Sequence, residues 1–221
     1  MTAHPAKFSI SILERIGDLL ASRRDDDNLE LVLDPFAGTG RVHEIPGITA
    51  IGVEIEPEWA TMHPRTIVGN TLHLPFRAAT FDGMITSPVY GNRHADHHVA
   101  KDPSFRHSYT HTLGRTLHPE NAGTIHWGDA YRDFHDRAWA ECLRVLKPGA
   151  FVMVNVSNHI RKKKVQPVVE WHLSWFLTHD CIFRELEHVH TPRLRAGANA
   201  DARVPHEFLL HLRYEPKEAV A

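Results

Sequence analysis

Leu31-Val32-Leu33-Asp34-Pro35-Phe36-Ala37-Gly38-Thr39-Gly40 is an apolar strand running into a glycine-rich turn. Missing side chains in such a turn let a ligand approach the backbone. Alone, Gly38-Thr39-Gly40 says little. Its meaning comes from the next apolar run, residues 49–53, which ends at Glu54. An acid there is placed to accept hydrogen bonds from both hydroxyls of a bound ribose, as acids do in dinucleotide folds. The two features in register predict an adenosine-type cofactor. The loop continues Arg41-Val42-His43, without the third glycine of a dinucleotide fingerprint, and this disfavours a pyrophosphate cofactor such as NAD.

Outward from this stretch, further short apolar runs at 29–33, 66–68, 81–85 and 150–156 end in Gly, Pro, Asp, Asn or Ser and read as buried parallel strands. Apolar positions at helical spacing (Phe8, Ile12, Ile16, Leu19, Leu20) predict an amphipathic helix over 6–23. Helical stretches follow at 129–146, stopped by Lys147-Pro148-Gly149, and at 166–179. The chain closes with strands at 181–189 and 207–214, joined without a helix, which suggests an antiparallel pair at one edge. The expected fold is α/β, a Rossmann-like, doubly wound sheet of seven mostly parallel strands, in one domain spanning 1–221.

The chain has 221 residues, 42% of them hydrophobic and 24% charged, enough for one full core. A net charge of -2 gives no bulk attraction to nucleic acid, so such binding has to come from local patches. Two cysteines, Cys142 and Cys181, without paired spacing argue against a disulfide framework or a thiolate metal site. With no signal-peptide layout and no long apolar run, the expected location is the cytosol.

Phe81-Asp82-Gly83-Met84-Ile85-Thr86-Ser87-Pro88-Val89-Tyr90 puts a polar residue, a proline and an aromatic at the carboxyl end of the fourth strand, where open α/β sheets keep their active sites. An exocyclic amine on adenine or cytosine is a poor nucleophile because its lone pair is delocalised into the ring. Acceptors that favour a tetrahedral nitrogen counter this. Ser87 Oγ and the Pro88 carbonyl are the candidates, with Tyr90 stacking on the base. No covalent intermediate and no metal is needed.

Together these residues resemble the amino-methyltransferase group of DNA methylases, which make N6-methyladenine and N4-methylcytosine with S-adenosylmethionine (SAM). Asp34-Pro35-Phe36-Ala37-Gly38-Thr39-Gly40 is similar to the family's SAM loop. Ser87-Pro88-Val89-Tyr90 resembles its catalytic motif, with Val89 in place of a second proline. The segment His4 to Ser9 resembles the one closing over the methionine end of SAM, and Gly69-Asn70-Thr71 the one beside its adenine. The resemblance implies SAM held by Lys7, Phe8, Ser9, Asp34, Pro35, Phe36, Gly38, Gly40, Glu54, Ile55, Asn70 and Thr71, with DNA as the partner, as in restriction-modification. A leading serine leans toward cytosine N4. Cytosine C5 chemistry is disfavoured, since no cysteine lies in the equivalent loop.

The segment 91–128 shows no sustained period and holds His94, His97, His98, His107, His111, His118 and His126, seven of the nineteen histidines. It reads as an inserted functional loop, a candidate for target recognition. Arg93, His97, His98, Arg106 and Arg115 are candidate contacts to phosphate or base, preferred over a metal site. Arg161-Lys162-Lys163-Lys164, at the carboxyl edge of the sheet, and Arg195, with Arg193 and Arg203, extend the same basic surface. Two rivals stand beside this reading. One is a methyltransferase of an RNA base or a small molecule. The other is a catalytically inactive SAM-fold protein that binds nucleic acid.

Overall fold

The computed structural model describes residues 8–22, 31–91, 109–161, 163–191 and 206–217. Helix α1 (Ile10–Ser22) precedes β1 (Leu31–Asp34), β2 (Thr49–Glu54), the short α2 (Pro57–Ala60), β3 (Thr66–Val68) and β4 (Phe81–Thr86). Then come the short α3 (Tyr109–Leu113), α4 (Asp129–Val145), β5 (Leu146–Val156), β6 (His159–Arg161), β7 (Lys164–Gln166), α5 (Val168–Thr178), β8 (Cys181–His190) and β9 (His206–Tyr214).

Seven strands form one sheet in the order β3-β2-β1-β4-β5-β9-β8. β1 to β5 are mutually parallel, and β9 lies antiparallel between β5 and β8. The expected closing pair is therefore present, with β8 outermost. Because β1 and β4 are sheet neighbours but not sequence neighbours, their carboxyl ends open side by side. That edge is where the glycine turn and Ser87 meet.

Successive strand residues face opposite sides, and the core divides accordingly. Val32, Ile85, Phe151, Met153 and Leu209 share one cluster with Ile12, Leu13, Ile16, Leu19 and Leu20 of α1. Burying each of these aliphatic side chains contributes about 2 kcal/mol, which is what docks α1. Leu33, Met84, Val152, Val154 and Leu210 face the other cluster, with Trp139 and Cys142 of α4 and Phe176 of α5.

Two segments depart from the expectation. The basic run lies in a hairpin the sequence pattern does not show: β6 and β7 pair antiparallel, with Arg161 opposite Lys164. The described part of the insertion, 109–128, also carries order that its pattern hides, including α3 and a single helical turn at Ala122–Thr124. No helix among the described residues is long and apolar enough to cross a membrane.

Candidate active site

The turn after β1 is built by short-range bonds. The Asp34 carboxylate accepts from the Phe36 N–H (3.1 Å) and from the Thr86 hydroxyl of β4 (2.7 Å), tying β1 to β4 at their carboxyl ends. Asp34 is fully buried, and burial raises its carboxyl to about 7. It does not line the pocket beside it, so it braces the loop rather than reaching into the space. Gly38 and Gly40 have φ values of 53° and 77°, in the left-handed region that glycine adopts without strain. Only Gly38 of the two lines the pocket. A side chain at Gly40 would meet His43 Cδ2 and His63 Cβ at 2.9 Å.

That pocket, about 270 Å³, runs from the glycine turn and Glu54 to the end of β4. Each Glu54 oxygen accepts one backbone N–H: Oε2 from Gly38 and Oε1 from Glu56, both at 2.9 Å. Burial raises this carboxyl to about 7 despite those two donors, and the nearby Glu56 and Asp34 charges add to the rise. Each oxygen keeps a lone pair for a hydroxyl donor, the chemistry a ribose supplies. Phe8, Pro35, Phe36, Ile55, Asn70 and Thr71 line the same space. The donor set therefore fits an adenosine-type cofactor. Two of the expected contacts also have local duties. Ser9 caps α1, its hydroxyl accepting the Ile12 N–H at 3.2 Å, and Asn70 Oδ1 accepts the Leu72 N–H while its amide donates to Glu120.

Ser87, Pro88, Val89 and Tyr90 line the far end of the pocket. Ser87 Oγ lies 3.1 Å from Tyr90 Oη. Two residues join them that the sequence reading missed, Asn155 of β5 and Glu207 of β9. The Asn155 amide donates to Ser87 Oγ (3.3 Å), Tyr90 Oη (3.0 Å) and Glu207 Oε2 (2.6 Å), and the Tyr90 hydroxyl donates to Glu207 Oε2 (3.2 Å). A signal was available for each. Asn155 breaks an apolar central strand, and Glu207 opens a final strand whose antiparallel sense brings its start to this edge.

Behind the loop runs an oriented chain of hydrogen bonds. The indole N–H of Trp139 can only donate, and it donates to His172 Nδ1 (3.0 Å). The proton of the neutral ring is then on Nε2, which donates to Tyr131 Oη (2.9 Å). The Tyr131 hydroxyl in turn donates to the Val89 carbonyl (2.7 Å). Burial holds His172 well below its ordinary range, which keeps it neutral and the chain in this sense. That last bond fixes the carbonyl between Pro88 and Tyr90.

The insertion roofs the cofactor end. Tyr109, Glu120, Asn121 and Ala122 line the pocket. Their anchor is Glu56, fully buried, which accepts the His118 N–H (2.8 Å), the Asn121 amide (2.7 Å) and the Arg115 guanidinium (2.7 Å). Arg115 also pairs with Glu58. Arg115, a candidate phosphate contact, is thus paired with two carboxylates while its side chain stays 38% exposed. Arg161 is half committed, donating to the Trp127 carbonyl at 3.2 Å, whereas Lys163 and Lys164 are exposed. Lys7, Arg93, His97, His98, Arg106, Lys162 and Arg195 lie outside the described residues. Both cysteines are buried thiols, raised by that burial, and neither lines the pocket.

No protein-family model and no curated protein matches the chain. Solved structures do match it. A SAM-dependent methyltransferase from Methanosarcina mazei is 11% identical, over 89% of this chain and 98% of that one, with a TM-score of 0.56. The N-methyltransferase NodS from Bradyrhizobium japonicum, in complex with S-adenosyl-L-homocysteine, is 12% identical over 96% and 90%, with a TM-score of 0.53. The Burkholderia thailandensis 1,6-didemethyltoxoflavin-N1-methyltransferase, with its substrate and S-adenosylhomocysteine bound, is 17% identical over 95% and 80%, with a TM-score of 0.52. Likeness at these identities is likeness of fold. The chain has the fold of the SAM-dependent methyltransferases, a seven-stranded mixed sheet with its pocket at the carboxyl edge.

Proposed function

We propose that this chain is a SAM-dependent methyltransferase acting on the exocyclic amino nitrogen of a heteroaromatic base, cytosine N4 or adenine N6 in DNA. One observation carries the reading: Glu54 with the glycine turn, and Ser87 with Pro88 and Tyr90, line one pocket. A hydroxyl-binding acid and an amine cradle thus open into the same space.

Bound SAM supplies an electrophilic methyl group on a sulfonium. Glu54, Gly38, Phe8, Ile55, Asn70 and Thr71 are the residues to hold it. Ser87 Oγ and the Pro88 carbonyl accept the two N–H bonds of the amine and draw its lone pair out of the ring, while Tyr90 supplies the stacking face. The Val89 carbonyl already accepts the Tyr131 hydroxyl. Placement of the amine, with no covalent intermediate, is what lowers the barrier.

A second reading takes a small heteroaromatic amine, or an RNA base, as the acceptor. Two observations favour it. Arg115 pairs with Glu56 and Glu58, which leaves less of its charge for a phosphate. Among the structures of like fold, a named acceptor is the small molecule 1,6-didemethyltoxoflavin.

Labelled SAM incubated with DNA, with RNA and with small aminoheterocycles separates these acceptors, and nucleoside digestion with mass analysis names the product. 4-Methylcytosine or 6-methyladenine from DNA is the expected result. Label entering only RNA or a small amine overturns the DNA assignment, and no transfer to any amine overturns the proposal. Ser87→Ala should abolish transfer and leave SAM affinity within about twofold, since Ser87 is assigned to the acceptor amine and not to the cofactor.

A further inference from the structure

Ser87, Tyr90, Asn155 and Glu207 are more than an amine needs to be oriented, and their donor directions run one way. The Tyr90 proton goes to Glu207 Oε2, so in the 3.1 Å contact between Ser87 and Tyr90 the Ser87 hydroxyl is the donor. Ser87 Oγ is left as an acceptor on its pocket side, with one lone pair taken by the Asn155 amide. The order is therefore Ser87 to Tyr90 to Glu207, and it ends on a carboxylate that itself lines the pocket and is partly open to solvent.

We propose that this line carries away the proton the amine loses on methylation, with Glu207 as its acceptor. The proposal rests on the amino-methyltransferase reading above. The nitrogen lone pair forms the new N–C bond, the C–S bond of the sulfonium donor breaks with its electron pair left on sulfur, and the nitrogen is left with a surplus proton and charge. That proton passes to Ser87 Oγ as the serine proton passes to Tyr90 Oη and the tyrosine proton to Glu207 Oε2. Ser87 and Tyr90 end as they began, and Glu207 ends as a neutral acid that returns its proton to water. A methylated ring amine bearing that charge is a strong acid, and a carboxylate is base enough to receive the proton. Serine alone does not, because its oxygen has no stable protonated form near neutral pH.

Asn155 is the positioning residue. It is 1% exposed, and its amide lies within 3.3 Å of all three oxygens of the line. A donor at that hub holds three acceptors together without offering them a second route for the proton. The sheet makes the arrangement possible: β9 runs antiparallel to β5, with Asn155 opposite Leu209 and Val156 opposite Phe208. The first residues of β9 consequently stand beside the last of β5.

The test uses Glu207→Gln, which keeps size and hydrogen bonding but does not accept the proton, and Tyr90→Phe, which cuts the line and keeps the ring. In single-turnover transfer each should slow the reaction by about a hundredfold, the scale of positioned proton transfer, at unchanged SAM affinity. Because the two act in series, the double variant should be about as slow as the slower single one. Formate should restore part of the rate to Glu207→Ala. In the cofactor-free protein, the infrared carboxylate band identified by its loss in Glu207→Gln should shift in Tyr90→Phe. Wild-type rates in Glu207→Gln, multiplicative loss in the double variant, or an unmoved band each overturn the relay. All of these are compatible with an active amino-methyltransferase that Ser87→Ala still silences, so failure of the relay and failure of the underlying reading are distinct results.

Discussion

On the proposed function, Glu54 is a residue whose protonation changes when the pocket fills. Without ligand its carboxyl sits near 7, pushed up by burial. Two hydroxyl donors favour the ionised form, because each adds a hydrogen bond that only the carboxylate accepts twice over. Binding then releases a proton from the fraction of protein in which Glu54 is protonated, so affinity for SAM should rise with pH through about 7 and level off above it. Calorimetry from pH 6 to 8 measures this: affinity should increase by up to about tenfold per pH unit below the midpoint, and Glu54→Gln should bind weakly with no pH trend. Equal affinities across that range in the native protein contradict the assigned role. The position of this acid was legible in the sequence because it ends an apolar strand. Its second neighbour, Glu56, was not, since nothing in the local pattern shows that an acid two residues on will be buried and answered by groups more than fifty residues away.

Among the elements, α4 and α5 reach the proposed acceptor site through the loop after β4. Tyr131 and Trp139 belong to α4 and His172 to α5, and their chain ends on the Val89 carbonyl. Tyr131→Phe removes one hydroxyl and leaves the carbonyl without its donor and the His172 Nε2–H without its acceptor. One lost hydrogen bond of about 1 to 1.5 kcal/mol corresponds to roughly a tenfold loss in a rate that depends on the loop's position. The expected outcome is a fall of that size in kcat with SAM affinity kept. An unchanged kcat means the loop is held by other contacts. The helices themselves were plain from spacing, as in Ile12, Ile16, Leu19 and Leu20 of α1. The β6–β7 hairpin was not, because its residues read as a charge run and its pairing is only three residues long. The order in the described part of the insertion, 109–128, was hidden for a similar reason. Its anchor is a set of polar bonds to one buried acid, and such bonds leave no periodic trace.

At the scale of the whole molecule, the charge balance of -2 leaves attraction to a polyanion to particular places. Lys163 and Lys164 are exposed in the hairpin that follows the carboxyl end of β5, on the same edge as Ser87. Replacing both with Glu should raise KM for a DNA acceptor by tenfold or more and flatten its salt dependence. A small amine acceptor should be unaffected. An unchanged KM for DNA removes this hairpin from the binding surface. The strand order was readable in advance only as a class, since parallel runs alternating with helices imply a doubly wound sheet. That β9 would slip between β5 and β8 depended on burial across the full sheet.

That reversed strand divides the site in a way that matters for descent. The cofactor half is built from the ends of β1 and β2 and the turns that leave them, and change there forfeits the methyl donor. The acceptor half takes Glu207 from the start of β9, a separate stretch of chain near the carboxyl terminus. On the proposed function, mutation can therefore alter acceptor choice at one locus while the capacity to hold the donor stays sheltered at another. A lineage built on this plan is free to change what it modifies without first losing the means to modify it.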